Sequence, residues 1–216
     1  MQLERMDAFF NARAEIYDSH MLKELQLEVF YKEIAECFPA GNAEPALLDL
    51  GIGTGLELER LFAKFPGLKV TGIDISQGML DLLYKKYPDK NITALCGSYF
   101  DIDFGKDKYD FALSTYSLHH FGEAKKTKLY RKVFDALRRD GIYVEGDYTC
   151  KTPEEQEKYI KESEQLYNKN NIPEGFYHYD IPFTAEMQMK LFKSAGFSDV
   201  KIIREWENTS IIKARK

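Results

Sequence analysis

Asp49-Leu50-Gly51-Ile52-Gly53-Thr54-Gly55 sets one carboxylate two residues ahead of three glycines at alternate positions. Glycines at that spacing make a tight turn and let the backbone come close to a ligand, because no Cβ stands in the way. The dinucleotide fingerprint G-x-G-x-x-G needs a third glycine where this chain has Leu56. A carboxylate at position 49 would also repel a pyrophosphate, and it favours a ligand that is cationic at that end. Asp74, 23 residues after Gly51, lies in the apolar run Val70–Ser76. An acid at a strand end can accept from both hydroxyls of a ribose. Further along, His119 and His120 stand side by side. Either could shape a wall, and His119 is the candidate general base.

These residues need a scaffold that brings strand ends together. Short apolar runs alternate with amphipathic segments through the middle of the chain. Strands are expected at Ala46–Leu50, Lys69–Ile75, Asn91–Cys96, Tyr109–Thr115 and Gly141–Gly146. Helices are expected at Glu57–Phe65, Gln77–Tyr87 and Glu123–Leu137. That alternation predicts an α/β fold with a doubly wound parallel sheet. The first forty residues read as helical, and Leu22, Leu25, Val29, Ile34 and Phe38 form an apolar stripe over Met21–Phe38. Thr152-Pro153-Glu154-Glu155 starts a helix that should run to about Lys169. An aromatic loop, Gly175–Phe183, follows, and Thr184 is the expected cap of a helix ending near Ala195-Gly196. Phe197–Trp206 and Thr209–Ala214 read as a closing antiparallel hairpin.

Composition bounds the class. The chain has 216 residues and a formal charge of −5, which suits one domain with a lid or insertion and argues against nucleic acid as the main partner. No apolar run approaches the roughly 20 residues of a membrane span, so no membrane association is expected. The first twenty residues lack the apolar core of a secretory signal. Cys37, Cys96 and Cys150 are scattered, without metal-ligand spacing. They read as packing residues in a cytoplasmic protein, with no metal expected. Monomer and homodimer both remain open.

A ligand with an ammonium, a sulfonium and no phosphate satisfies the charge argument, and S-adenosylmethionine has all three features. Here the chain resembles the class I S-adenosylmethionine-dependent methyltransferases. Asp49–Gly55 resembles the first motif of that family, Gly72–Ser76 the second, Cys96–Asp101 the adenine-contacting third and Tyr109–Phe121 the fourth. Leu137–Tyr148 resembles the helix-turn-strand that follows. The resemblance implies a seven-stranded, mostly parallel sheet with an antiparallel C-terminal strand. It divides the single domain into an N-terminal helical lid (1–44), a cofactor-binding core (45–148), a helical insertion after the fifth strand (149–183), and a last helix with hairpin (184–216). Asp49, Gly51 and Gly53 should then lie along the methionine part of the cofactor. Asp74 should hold the ribose, and Ile75 should pack on the adenine. Ser98 and Tyr99 should flank the adenine edge, and Ser114 should offer its carbonyl to the ammonium. Tyr17 should reach the methionine carboxylate from the lid. The third motif of the family often reads Gly-Asp, whereas this chain has Gly97-Ser98, and Asp101 is the residue that could compensate.

The expected activity is in-line methyl transfer to a small, partly apolar molecule. Tyr116, His119, Tyr148, Tyr177 and Tyr179 are the candidate acceptor-binding residues. Two alternatives stand beside it. The C-terminal pattern Phe183–Phe197 is loosely similar to carboxy-S-adenosylmethionine synthases of tRNA modification, but those enzymes use an arginine, and Cys150–Phe183 contains none. The other alternative is a non-enzymatic S-adenosylmethionine-binding protein.

Overall fold

Five strands form the parallel part of one sheet: Ala46–Leu50 (β1), Lys69–Asp74 (β2), Ile92–Cys96 (β3), Tyr109–Thr115 (β4) and Leu137–Cys150 (β5). The computed structural model describes residues 3–25, 27–172 and 177–216. Phe183–Thr184 (β6), Ser198–Glu205 (β7) and Thr209–Arg215 (β8) complete the sheet. Its order is β3-β2-β1-β4-β5-β8-β7, with β6 beside the far end of β5. β8 runs antiparallel to both of its neighbours, β5 and β7. The expected seven strands and antiparallel C-terminal strand are present, and β6 adds a two-residue eighth.

The strand sequences explain why helices cover both faces. Side chains alternate across a strand, so a run of apolar residues serves two layers at once. Leu47, Leu113, Val144 and Ile211 face one layer, packed with Phe30 and Ile34 of Glu28–Glu36 (α2) and Leu58 and Leu61 of Leu58–Lys64 (α3). Leu48, Ala112, Tyr143 and Ile212 face the other. There they meet Tyr130 and Val133 of Glu123–Ala136 (α5). The remaining helices are Met6–Ser19 (α1), Gln77–Lys86 (α4), Pro153–Asn170 (α6) and Ala185–Ser194 (α7). Thr152 and Thr184 cap α6 and α7 as their sequences predict, each hydroxyl accepting a backbone N–H at 3.2 Å.

Helix α1 lies over the start of α4. Asn11 Oδ1 accepts from the Ser76 hydroxyl at 2.8 Å and from the Gly78 amide at 2.9 Å. This places α1 above the carboxyl ends of β1 and β2. The residue pair before α1 meets the insertion: Arg5 bridges to Tyr177, and His178 N–H donates to the Glu4 carbonyl at 2.9 Å. The expected aromatic loop begins at Gly175 and Phe176, which lie outside the described residues.

Two expectations change. The stripe over Met21–Phe38 is not one helix, because a π-helical turn at His20–Glu24 separates α1 from α2 and breaks the 3.6-residue phase. Ile34 and Phe38 reach the core, whereas Leu25 and Val29 are 39 % and 55 % exposed. Cys37 and Cys150 are buried, but Cys96 at the end of β3 is exposed, with its Sγ 3.8 Å from the Ile75 carbonyl. No described helix is long and apolar enough to cross a membrane.

Gly146 decides how closely α2 approaches β5. A Cβ there would stand 2.5 Å from Phe30 Cζ and 2.8 Å from Ile34 Cδ1. Gly146→Ala should therefore cost about 1–3 kcal/mol by overpacking. Urea titration checks this, and an unchanged midpoint would mean that α2 does not sit tightly on the sheet.

Candidate active site

The strand order reverses between β1 and β4, and a cavity opens at their carboxyl ends, where open α/β sheets place ligands. Each strand delivers its own turn to the lining. Gly51 and Gly53 follow β1, Asp74 and Ile75 end β2, Gly97–Phe100 follow β3, and Thr115–Ser117 follow β4. Met6, Phe10 and Tyr17 of α1 form the roof. About 660 Å³ of empty space lies within it, open solvent at its mouth included.

The glycine turn is shaped by its surroundings. Gly51 sits at φ +76°, and a Cβ there would meet Ser117 Oγ at 2.1 Å. Its N–H donates to the Ile73 carbonyl at 2.8 Å, and the Gly53 N–H donates to Asp74 Oδ2 at 2.8 Å. The other Asp74 oxygen accepts the Ser76 N–H at 2.8 Å. Asp74 is thus fixed by two amides, yet its carboxylate keeps lone pairs for a ligand. Burial still pushes its carboxyl up to about 6.

Beneath the turn lie two more acids. Asp49 is fully buried, and neither of its oxygens has a hydrogen-bond partner among the described residues. Burial and the neighbouring Glu57 hold its carboxyl well above the usual range. Glu57 is raised to about 7, first by burial. Its one partnered oxygen accepts a long hydrogen bond, 3.4 Å, from the Thr115 hydroxyl. Burying uncompensated carboxylates is costly, so these acids hold their protons in the free chain and would ionise most readily beside a cation.

Of the nine expected cofactor residues, Tyr17, Gly51, Gly53, Asp74, Ile75, Ser98 and Tyr99 line the cavity, while Asp49 and Ser114 are buried behind it. Ser98 Oγ accepts the Phe100 N–H at 3.2 Å, bracing its own turn. Asp101, the expected compensating acid, is exposed and outside the lining.

A second cleft shares Phe10, Tyr17, Tyr116 and His120 with the first. Phe9, Arg13, Ile16, His119, Tyr148, His178 and Asp180 extend it. His119 Nδ1 is 2.5 Å from Asp147 Oδ1, and both residues are buried. Asp147 is itself fixed by the Leu118 and Tyr148 amides, each at 2.9 Å. Burial pushes its carboxyl up, but His119 outweighs that and holds it below the ordinary value. His119 Nε2 faces Asp180 Oδ1 at 3.6 Å. Burial lowers His120 to about 4, so it is neutral.

Tyr116 and Tyr148 belong to this cleft, as expected, and their rings meet edge to face at 5.0 Å. Tyr177 and Tyr179 do not line it. The extended loop alternates its side chains, so His178 and Asp180 face inward, while the Tyr179 hydroxyl donates to Glu162. Glu57, Asp147, His178 and Asp180 are the chemically capable residues outside the expected set. Asp147 and Asp180 each stand in a quoted motif but draw no notice there, because only the fold brings them to His119.

Comparison with known proteins agrees with this geometry. Residues 47–141 match the model of a methyltransferase domain. A carboxy-S-adenosyl-L-methionine synthase of Helicobacter hepaticus is 28 % identical over 187 residues, covering 81 % of this chain and 77 % of that protein. A putative O-methyltransferase of Nostoc punctiforme superposes with a TM-score of 0.71 at 21 % identity. The match covers all of this chain and 63 % of that one, less than two thirds of its length. The DhpI–SAH complex also superposes with a TM-score of 0.71, at 18 % identity, over 96 % of this chain and 93 % of that one.

Residues 47–141 thus carry a methyltransferase domain, and the whole chain shares the fold of known methyltransferases. The cavity passes a simple test of fit for S-adenosylmethionine. The cofactor is cationic at sulfur and nitrogen, and no Lys or Arg is among the described lining residues. Unpartnered carboxylate oxygens stand behind the glycine turn, and the apolar Ile75, Met79 and Phe121 line the remainder.

Glu57→Gln should stabilise the ligand-free protein above pH 7. The native carboxyl titrates near 7 and the unfolded one near 4.5, so the folded state binds more protons between those values. Stability contributed by Glu57 therefore falls as pH rises through that window. The variant should gain on the order of 1–3 kcal/mol at alkaline pH and little near pH 4. Thermal unfolding at both pH values tests this, and equal gains would remove Glu57 from the charge argument.

Proposed function

We propose that this chain transfers a methyl group from S-adenosylmethionine to a small, partly apolar acceptor carrying an ionisable hydroxyl or amine. The observation that carries this reading is that the acidic-walled cavity opens, past Phe10, Tyr17, Tyr116 and His120, into a cleft containing a carboxylate-oriented histidine. When bound, the cofactor supplies a methyl group activated by its sulfonium.

In this proposal Asp74 accepts from the ribose hydroxyls, and Ile75 packs on the adenine beside Ser98 and Tyr99. Asp49 and Glu57 set the negative potential beneath Gly51 and Gly53, and Tyr17 and the Ser114 carbonyl close the methionine end. Phe10 and Tyr17 keep water from the junction of the two spaces. The acceptor lies against Tyr116 and Tyr148. Asp147 holds His119 with Nδ1–H toward itself, which leaves the Nε2 lone pair for the acceptor proton. Orientation of nucleophile against methyl supplies much of the rate, up to roughly 7–11 kcal/mol at its limit.

Residues 1–44 act in this reading as a lid and 149–183 as the acceptor-side insertion on a single domain. The scarcity of cationic side chains in both spaces supports a small molecule over nucleic acid. The three free thiols support a reducing, cytoplasmic setting.

A second reading, carboxy-S-adenosylmethionine synthesis, is favoured by the likeness to the Helicobacter hepaticus protein. Against it, the cleft's described arginine, Arg13, is already engaged by Glu4 at 3.2 Å and by the Phe9 carbonyl at 3.0 Å. Mass spectrometry of the cofactor after turnover separates the two: a carboxylated cofactor supports the second, a demethylated one the first.

Calorimetric titration with S-adenosylmethionine, with NAD as control, is the first test. Asp74→Ala should weaken binding by about 1–3 kcal/mol through loss of charge-assisted hydrogen bonds, and unchanged affinity would displace the ribose from Asp74. Affinity should also rise with pH between about 6 and 7, as Asp74 and Glu57 lose their protons and become attractive to a cation. His119→Ala should slow methyl transfer about 100-fold or more while leaving cofactor affinity within twofold. A normal rate would mean that the acceptor arrives without a proton to lose.

A further inference from the structure

His119, His120 and Asp180 each bring one ligand-type atom to a common point, all within 4.8 Å of one another. The two histidines follow β4, and Asp180 comes from the insertion loop beyond α6. Three features of this cluster exceed what a passive ion pair requires. Asp180 Oδ1 is 3.1 Å from His120 Nδ1 and 3.6 Å from His119 Nε2, yet it is buried and accepts no hydrogen bond. His120 Nε2, on a ring only 2 % exposed, is likewise without a partner among the described residues. Buried polar atoms are rarely left unmet, and two in one cluster point to a missing ligand. Finally, Asp147 grips His119 Nδ1 at 2.5 Å, which fixes the tautomer that turns the Nε2 lone pair into the cluster.

We propose that His119, His120 and Asp180 bind a divalent transition-metal cation at the acceptor end of the cleft. The donor set is two imidazoles and one carboxylate, the composition that suits zinc or ferrous ions and leaves coordination positions open. Metal–ligand bonds of about 2.0–2.2 Å put neighbouring ligands of a tetrahedral site about 3.3–3.6 Å apart. His119 Nε2 stands 3.6 Å from Asp180 Oδ1, at the upper end of that range. His120 Nδ1 donates to the Tyr179 carbonyl at 3.2 Å, which leaves the unpartnered Nε2 as its ligating nitrogen. Asp147 is the outer carboxylate that orients a metal-bound histidine, and His178, whose ring centroid is 4.8 Å from that of His120, walls the site.

The open positions face the cleft lined by Phe10, Tyr116 and Tyr148. The cation would therefore select acceptors with an oxygen or nitrogen donor able to occupy them. In this the inference rests on the assignment of the cleft to the acceptor. His119 Nε2 cannot hold a proton and a cation together, so metal loading converts His119 from base to ligand.

The experiment uses the full chain, stripped with a chelator and free of any affinity tag. It is titrated with Co²⁺ by calorimetry and visible absorption. Wild type should bind one Co²⁺ per chain, with ligand-field bands showing nitrogen and oxygen donors. Asp180→Asn and His120→Ala should each lower affinity at least tenfold. Asp147→Asn should lower it about 10–100-fold through His119. Asp180→Asn keeps the test decisive if His120→Ala does not fold, because it preserves the shape of a half-exposed side chain. No binding by wild type, or equal binding by Asp180→Asn, overturns the proposal. The same samples are titrated with S-adenosylmethionine. Cofactor binding without Co²⁺ binding removes the metal site and leaves the methyltransferase reading standing. Co²⁺ binding without cofactor binding does the reverse.

Discussion

Three carboxyl groups buried beneath one turn organise this molecule. Asp49, Glu57 and Asp74 converge beneath one glycine turn, and burial raises the carboxyl pKa of each. Asp74 is partly compensated by the Gly53 and Ser76 amides, whereas Asp49 faces another acid, Glu57. A core with that arrangement costs stability in the free protein and returns it when a cation arrives. The glycines follow from the same constraint. Gly51 turns the chain over Ser117 at a distance no Cβ would permit, which keeps the acids close to the cavity floor.

The second constraint is closure. A cavity at the carboxyl ends of parallel strands is open to solvent unless other elements cover it. Here α1 is pinned through Asn11 to the start of α4, and the stretch before it joins the insertion through Arg5 and Tyr177. Stacking continues across that seam: His178 lies on Phe9 at 3.6 Å, with the Arg13 guanidinium over the same ring. Helix α1 and the stretch around Tyr177 and His178 are therefore one cover, although most of the sheet separates them in sequence. The exposed Leu25 and Val29 stand in the segment after α1, where Leu25 also lines the second cleft.

The junction between the two spaces is where chemistry concentrates. Tyr116 occupies it at φ +46°, a conformation costly for a non-glycine residue. Its N–H donates to the Gly146 carbonyl, and its ring lies against Phe30 and Tyr148. The strained turn carries the chain away from the end of β4, so that Ser117 meets the glycine loop and His119 meets Asp147. Strain at this point is the local cost of lining both cavities from one strand end.

Much of this was legible before any folding. Short apolar runs alternating with amphipathic helices predict a doubly wound sheet, and local rules place the caps at Thr152 and Thr184. The Asp49–Gly55 and Asp74 spacings locate the cofactor side, because a strand-turn-helix unit is continuous in sequence and its geometry is set by neighbours a few residues apart. Tertiary structure alone decided the rest. The π-helical turn at His20–Glu24 broke a stripe that read as one helix, since packing of α1 and α2 on different surfaces outweighed their common period. The alternation of an extended loop turned His178 and Asp180 inward in place of Tyr177 and Tyr179. The partners of His119 come from β5 and from the insertion, 28 residues away at Asp147 and 61 at Asp180. No spacing rule links positions so far apart, because their contact depends on how the chain crosses the sheet and returns over it.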